Sequence, residues 1–217
     1  MSKPTIAILG GTGKEGPGLA LRWAYNGYSV LIGSRQAEKA EATAAELNQT
    51  LGKDVVRGYD NDQAARLAEI SILTVVQSAH QAALESVREA LQGKILVDAT
   101  ARVDFRDPHP PTPPAAGEIA QEILGPGVRV VAALQTVPAH ALKHNLGQPL
   151  DFDVLVCAND VDAAQEVITL VQGADMRGYY AGKLDNAVVV EGVTSLLLSM
   201  NKFYKIKTAS VKVTGIG

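Results

Sequence analysis

Three glycines punctuate the stretch TIAILGGTGKEGPGLALRWA, at Gly11, Gly13 and Gly16, between a β-branched apolar run and a helix-forming one. A strand that ends in this spacing and turns at once into a helix builds a cradle for a pyrophosphate. Gly11 permits the tight turn, Gly13 lets the backbone approach the phosphates, and Gly16 lets helix and strand pack closely. The helix then aims free N–H groups and the positive end of its dipole at the same anion. Thr12 adds a hydroxyl in mid-loop, while Lys14 and Glu15 read as solvated side chains without a role.

A second group stands about twenty residues further on, at the end of the run SVLIG, where a dinucleotide binder meets the ribose. An aspartate or glutamate there would accept hydrogen bonds from the ribose hydroxyls and repel a 2′-phosphate. This chain has no acid at that turn: Gly33 keeps the space open, and Ser34 and Arg35 follow. A serine hydroxyl donates to a phosphate oxygen, and an arginine clamps one with its planar fork of donors. Lys39 lies four residues after Arg35, so on a helix both cations face the same way. Three phosphate-seeking groups in place of one carboxylate predict NADP(H) rather than NAD(H).

Acid–base machinery is harder to find. Tyr179 and Lys183 have the spacing of a short-chain dehydrogenase pair, but they lie in a strand-like stretch ending in Gly182, so they share no helix face. His140 and His144 are four apart, yet no third metal ligand is near, and a surface or packing role is expected. His80 reads as a helix start after ILTVVQSA, and Glu191 as a hydrogen-bonded or interface carboxylate inside an apolar helix. Lys202, Lys205, Lys207 and Lys212 form a cationic tail that is expected to be solvated. Cys157, the one cysteine, sits in FDVLVCA and reads as a small buried hydrophobe. Neither a catalytic side chain nor a metal site is assigned.

The elements that must position these groups alternate almost from end to end. Strand-like runs are TIAIL, SVLIG, VVRG, ISILTVV, KILVDA, VRVVAA, FDVLVCA and MRGYYA, with alanine-rich helical segments between them. The runs are apolar throughout rather than alternating, as in strands covered on both faces. The order predicts an α/β fold: a Rossmann-type, doubly wound parallel sheet with right-handed crossovers. Asn26-Gly27 and Gly52 mark the ends of the first two helices. The expected layout is a nucleotide-binding domain over 1–150 and a small C-terminal α/β extension over 151–217. A proline-rich stretch, RVDFRDPHPPTPPAAG, follows KILVDA at the ligand edge and is either a semi-rigid lid or a surface connection.

A chain of 217 residues can bury a full core, and one cysteine excludes a disulfide framework. Net charge −3 gives no footprint for nucleic acid. No leader-like segment or apolar stretch long enough to span a bilayer is visible, so a cytoplasmic protein without membrane contact is expected. The all-round apolarity of the helix over 186–202 predicts a homodimer.

The stretch ILGGTGKEGPGLALRWAYNGYSVLIGSRQAEKAE resembles the N-terminus of the NADPH-dependent coenzyme F420 reductases, through its GGTG loop, GLALR helix, GSR turn and EKA. Weaker similarity runs on through AAGEIAQEIL, VVAALQTVPA and DFDVLVCANDVDA and so covers most of the chain. The resemblance implies hydride transfer between NADP(H) and the deazaflavin coenzyme F420, with NADP contacts at Thr12, Ser34, Arg35 and Lys39. It implies an acceptor pocket at Gln135, Thr136 and Thr194. Relatives often have histidine in the place of Gln135 and polar or basic residues in the places of Val188 and Gly192, positions that would face the deazaflavin. These departures leave two alternatives: an NADP(H)-dependent reductase of a flavin, quinone or carbonyl compound, or a non-catalytic NADP(H)-sensing protein. Ring-to-ring hydride transfer asks a protein chiefly to align two cofactors and exclude water.

Overall fold

All eight expected strands form, and each sends side chains to both faces of one sheet. The computed structural model describes residues 3–216. The strands are β1 (Ile6–Leu9), β2 (Val30–Ser34), β3 (Val56–Asp60), β4 (Ile70–Leu73), β5 (Ile95–Asp98), β6 (Arg129–Ala132), β7 (Asp153–Ala158) and β8 (Arg177–Tyr180). Between and after them lie α1 (Gly16–Tyr25), α2 (Ala37–Leu51), α3 (Asn61–Leu67), α4 (His80–Val87), α5 (Ala116–Leu124), α6 (Val161–Gln172) and α7 (Ala187–Tyr204).

The sheet order is β3-β2-β1-β4-β5-β6-β7-β8. Chain direction reverses its course across the sheet between β1 and β4, which opens a crevice at their C-terminal ends where open α/β sheets bind ligands. The first six strands are parallel, whereas β7 runs antiparallel to β6 and β8 parallel to β7. The segment between β6 and β7 contains one 3-10 turn and no crossover helix, and β7, against the expected all-parallel order, enters from the ligand edge.

Two cores cover the two faces. Ile6, Ile8, Val30, Ile32, Ile72, Val97 and Val156 meet α1, α2 and α6; Ala7, Leu9, Leu31, Leu73, Leu96 and Cys157 meet α3, α4, α5 and the start of α7. The Trp23 indole N–H donates to the Leu170 carbonyl (2.8 Å), which fastens α1 to α6. Arg22 on α1 is fully buried. Its guanidinium donates to the carbonyls of Leu142 (3.0 Å) and His144 (2.6 Å) and pairs with Asp175 at 3.2 Å. It thereby clamps the long connection that precedes β7. Only the first two-thirds of α7 is buried, through Ala187, Val190, Glu191, Thr194, Ser195 and Leu197. Beyond it the chain turns back: the Asp153 N–H donates to the Val211 carbonyl (2.8 Å), so the terminal segment lies beside the start of β7.

Candidate active site

The glycines of the first loop have unequal surroundings. A Cβ at Gly11 would fall 2.5 Å from the Ile8 carbonyl oxygen, and one at Gly16 2.5 to 2.8 Å from the Gly11 backbone. Neither position admits a side chain. A Cβ at Gly13 would meet nothing nearer than the Gly10 carbonyl oxygen at 3.5 Å, and Gly13 is exposed. Gly11 and Gly16 therefore shape the loop, and Gly13 presents bare backbone outward. α1 begins at Gly16 with proline in its first turn and no capping side chain.

The Gly11 N–H donates to the Gly33 carbonyl (2.9 Å), which joins this loop to the end of β2. Gly33 does not leave open space. A Cβ there would lie 2.8 Å from Asn61 Oδ1, and that oxygen accepts the Gly10 N–H at 3.1 Å. Glycine at 33 thus lets the first residue of α3 reach in and fasten the loop. Ser34 is buried; its Oγ accepts the Gln36 N–H (3.3 Å), which leaves its own proton available to donate. Arg35 and Lys39 are exposed, and neither is in an ion pair among the described residues.

Beside the loop, a cleft of about 550 Å³ opens between the ends of β4, β5 and β6 and the inner face of α7. It brings together Gly13, Gln135, Thr136 and Thr194, with Val75, Val76, Ala101, Phe105, Leu197 and Leu198 as apolar wall. Ser34, Arg35 and Lys39 lie outside this lining, at the neighbouring end of β2. Leu134 carries the chain off β6 at φ +78°, a strained conformation for a branched side chain, and so presents Gln135. Gln135 is 8 % exposed. Its amide nitrogen donates to the Asp98 carbonyl (3.3 Å), which fixes the orientation of the amide, and its Oε1 is buried without a partner. Thr194 Oγ1 donates to the Gln135 carbonyl (3.0 Å) and joins α7 to the same strand end.

Behind Gln135 stands a pair that the sequence reading missed. Asp98, fully buried, holds His80 Nε2 at 2.7 Å and accepts the Thr100 N–H at 3.0 Å. The signal was there: a carboxylate closes the otherwise apolar strand KILVDA at the ligand edge. His80 does begin a helix, as expected, and is buried there as the partner of Asp98.

The proline-rich stretch is pinned at both ends to α7 by one carboxylate. Glu191 accepts the Arg102 N–H at 2.9 Å and the Ala116 N–H at 2.7 Å. Burial raises the Glu191 pKa above the ordinary carboxylate value in spite of these two donors. Phe105 on this stretch projects into the cleft, and Pro110 lies 3.9 Å from where a Gly192 Cβ would be. Gly192 therefore faces the loop, and Val188 packs on the second core; the cleft wall of α7 is Thr194, Leu197, Leu198 and Asn201.

Glu15 departs most from expectation. Lys14 is exposed, but Glu15 is half-buried with its Oε1 covered and without a hydrogen-bond partner, and burial pushes its carboxyl up to about 8. It lines the same cleft as Asn201, Lys207 and Ala209, which lie beyond the reach of local pattern reading. Cys157 is buried with its thiol pushed up to about 11, which removes it as a nucleophile. His140 and His144 are exposed on either side of a 3-10 turn, and no metal-ligand cluster occurs among the described residues.

Comparison with known proteins agrees with this architecture. Residues 5–102 match the family described as NADP oxidoreductase, coenzyme F420-dependent. The chain is 39 % identical to the F420-dependent NADP reductase of Methanothermobacter marburgensis, over 97 % of this chain and 98 % of that one. It is 35 % identical to the enzyme of that name from Methanocaldococcus jannaschii, over 97 % and 98 %. A solved structure described as a putative F420-dependent NADP-reductase from Arthrobacter sp. FB24 superposes with a TM-score of 0.81 at 29 % identity, covering 98 % of this chain and all of the other. With the glycine cradle, the acid-free β2 turn and the cleft under α7 in one sheet, the chain belongs to the F420-dependent NADP reductase family.

Proposed function

We propose that this protein is an oxidoreductase that transfers a hydride between NADP(H) and coenzyme F420. The observation that carries the reading is the pairing of an open phosphate cradle at Gly13 with a β2 turn that offers Ser34, Arg35 and Lys39 and no acid. These residues suit NADP(H). Gly11, Gly13 and Gly16 with Thr12 hold the pyrophosphate on the α1 N-terminus, and the three β2-end groups hold the 2′-phosphate. Bound there, the nicotinamide supplies or accepts the hydride. The cleft suits a flat ring system: Val75, Val76, Phe105 and Leu197 give it apolar walls, and Gln135 Oε1 is an acceptor that lacks a donor. Thr136 and Thr194 complete the acceptor side. Segment 1–150 carries the nucleotide contacts, and 151–217 closes the acceptor side through α7.

The test is to mix protein, NADPH and F420 and follow the deazaflavin's visible absorbance. Bleaching in proportion to enzyme supports the reading; tight NADPH binding without bleaching moves the assignment to another acceptor or to a sensor. Replacing Ser34 and Arg35 by alanine should weaken NADPH binding far more than NADH binding, and equal losses would mean that the 2′-phosphate is read elsewhere.

The protein is read as a cytoplasmic homodimer. Supporting the dimer, α7 leaves Val189, Leu196, Met200 and Phe203 exposed along one side; a monomeric mass in sedimentation would refute it. For location, the support is that no helix among the described residues is long and apolar enough to cross a membrane and that the one cysteine is unpaired.

A further inference from the structure

Reduction of a deazaflavin by NADPH moves more than a hydride. The C–H bond at nicotinamide C4 breaks with its two electrons, a C–H bond forms at deazaflavin C5, and ring N1 gains a proton. NADPH is oxidised, the deazaflavin is reduced, and one proton is consumed. The reverse direction releases it. A protein that encloses both rings away from water must place a group that can hold this proton.

The described cleft lining offers one. Among its residues the charged or titratable side chains are Lys14 and Glu15 on the glycine loop and Lys207 from the segment after α7. Both lysines are exposed, and neither counters the effect of burial at Glu15. His80, Asp98 and Glu191 lie behind the wall and already have partners. Three buried side-chain oxygens lack a partner among the described residues, and two of them, Glu15 Oε1 and Gln135 Oε1, belong to residues that line this cleft. The Glu15 backbone is fixed, since its carbonyl accepts the N–H groups of Gly18 (3.0 Å) and Leu19 (3.2 Å) in the first turn of α1.

We infer that Glu15 is a catalytic residue whose carboxyl group holds the proton that accompanies the hydride. In F420 reduction the Glu15 O–H bond breaks as the N1–H bond forms, and solvent returns a proton to the carboxylate. In NADP+ reduction Glu15 takes the proton from N1 and releases it to solvent. The assignment rests on the F420 reading above. A carboxyl that titrates near neutrality serves both directions, because neither protonation state is far from the working pH.

The experiment compares the wild type with Glu15→Gln and Glu15→Asp in the complete protein. Glu15→Gln should lower kcat for F420 reduction about 10²-fold at pH 7, with NADPH affinity measured by fluorescence within about threefold of wild type. The fall in wild-type rate above pH 8 should vanish in Glu15→Gln, and Glu15→Asp should restore part of kcat and the pH dependence. Unchanged kcat and pH profile in Glu15→Gln would overturn the assignment, as would a loss confined to NADPH affinity. Independently of turnover, 13C NMR of glutamate-labelled ligand-free protein should show a carboxyl titrating near 8 that Glu15→Gln removes; a midpoint in the ordinary range would overturn it. An inactive wild type with that NMR midpoint would sink the F420 reading itself, and the catalytic role with it, while leaving the raised carboxyl standing.

Discussion

Two alanine substitutions three residues apart separate the two jobs of the glycine loop. At Gly16 an added methyl would stand 2.5 to 2.8 Å from the oxygen, Cα and carbonyl carbon of Gly11, all backbone and unable to swing away. Overlap of this kind costs about 1–3 kcal/mol in a packed interior. For a chain of this size each kcal/mol lowers Tm by roughly 2–4 °C, so Gly16→Ala should melt about 2–12 °C below wild type without ligand. At Gly13 the methyl meets nothing within 3.4 Å, and the residue is exposed. Gly13→Ala should stay within about 0.5 kcal/mol of wild type. Its methyl nevertheless fills the surface on which a pyrophosphate would lie, so NADPH affinity should fall at least about tenfold, or ~1.4 kcal/mol. Ligand-free calorimetry and a fluorescence titration with NADPH read the two quantities separately. If Gly13→Ala melts as low as Gly16→Ala, or binds NADPH as the wild type does, the division of roles is wrong.

Other perturbations test what holds the cleft together. Arg22→Met leaves Asp175 and the carbonyls of Leu142 and His144 without their buried partner; removing one side of such a pair costs about 3–5 kcal/mol, which calorimetry should show as a large fall in Tm. Glu191→Ala strands the Arg102 and Ala116 N–H groups, at about 1–3 kcal/mol each. Hydrogen exchange at those two amides should rise well before the rest of the sheet opens, and unchanged exchange would remove Glu191 as the anchor. Glu15 and Glu191 both have pKa values raised by burial, so the folded protein binds more protons than the unfolded chain from the ordinary carboxylate range upward. Stability is then greatest below that range and declines as pH rises, for Glu15 until about pH 8. Denaturant unfolding at pH 5 and pH 8 should show this loss, and Glu15→Gln should reduce it.

What could be read locally was read well. The strands stood out because both faces of the sheet are covered, so neighbours such as Ile6 and Ala7 are equally buried in different cores. The short α3 was missed, because seven residues hold barely two helical turns; its one local mark is Asp60, which caps it by accepting the Gln63 N–H at 2.8 Å. The sequence predicts a parallel sheet throughout, and the reversed β7 departs from it: the segment before it holds one 3-10 turn and no crossover helix. Burial of Arg22 could not be read from GLALR, because its partners lie more than a hundred residues away.

The same distinction divides the cleft. The side proposed for the nucleotide is built within the first forty residues from backbone geometry: a turn, a bare glycine and a helix start. The side proposed for the acceptor is assembled across the whole chain. Thr194 grips Gln135, Asp98 orients the Gln135 amide, and Glu191 ties down the stretch that carries Phe105. Substitutions along α7 can therefore reshape the acceptor side while Gly11, Gly13, Gly16 and the β2 turn stay untouched. Gln135 and Thr194 are where such a change acts first, because Thr194 joins α7 to the strand end whose next side chain supplies the unpaired oxygen. Glu15 joins the two sides: its backbone carbonyl starts α1 after the glycine loop, and its side chain lines the cleft.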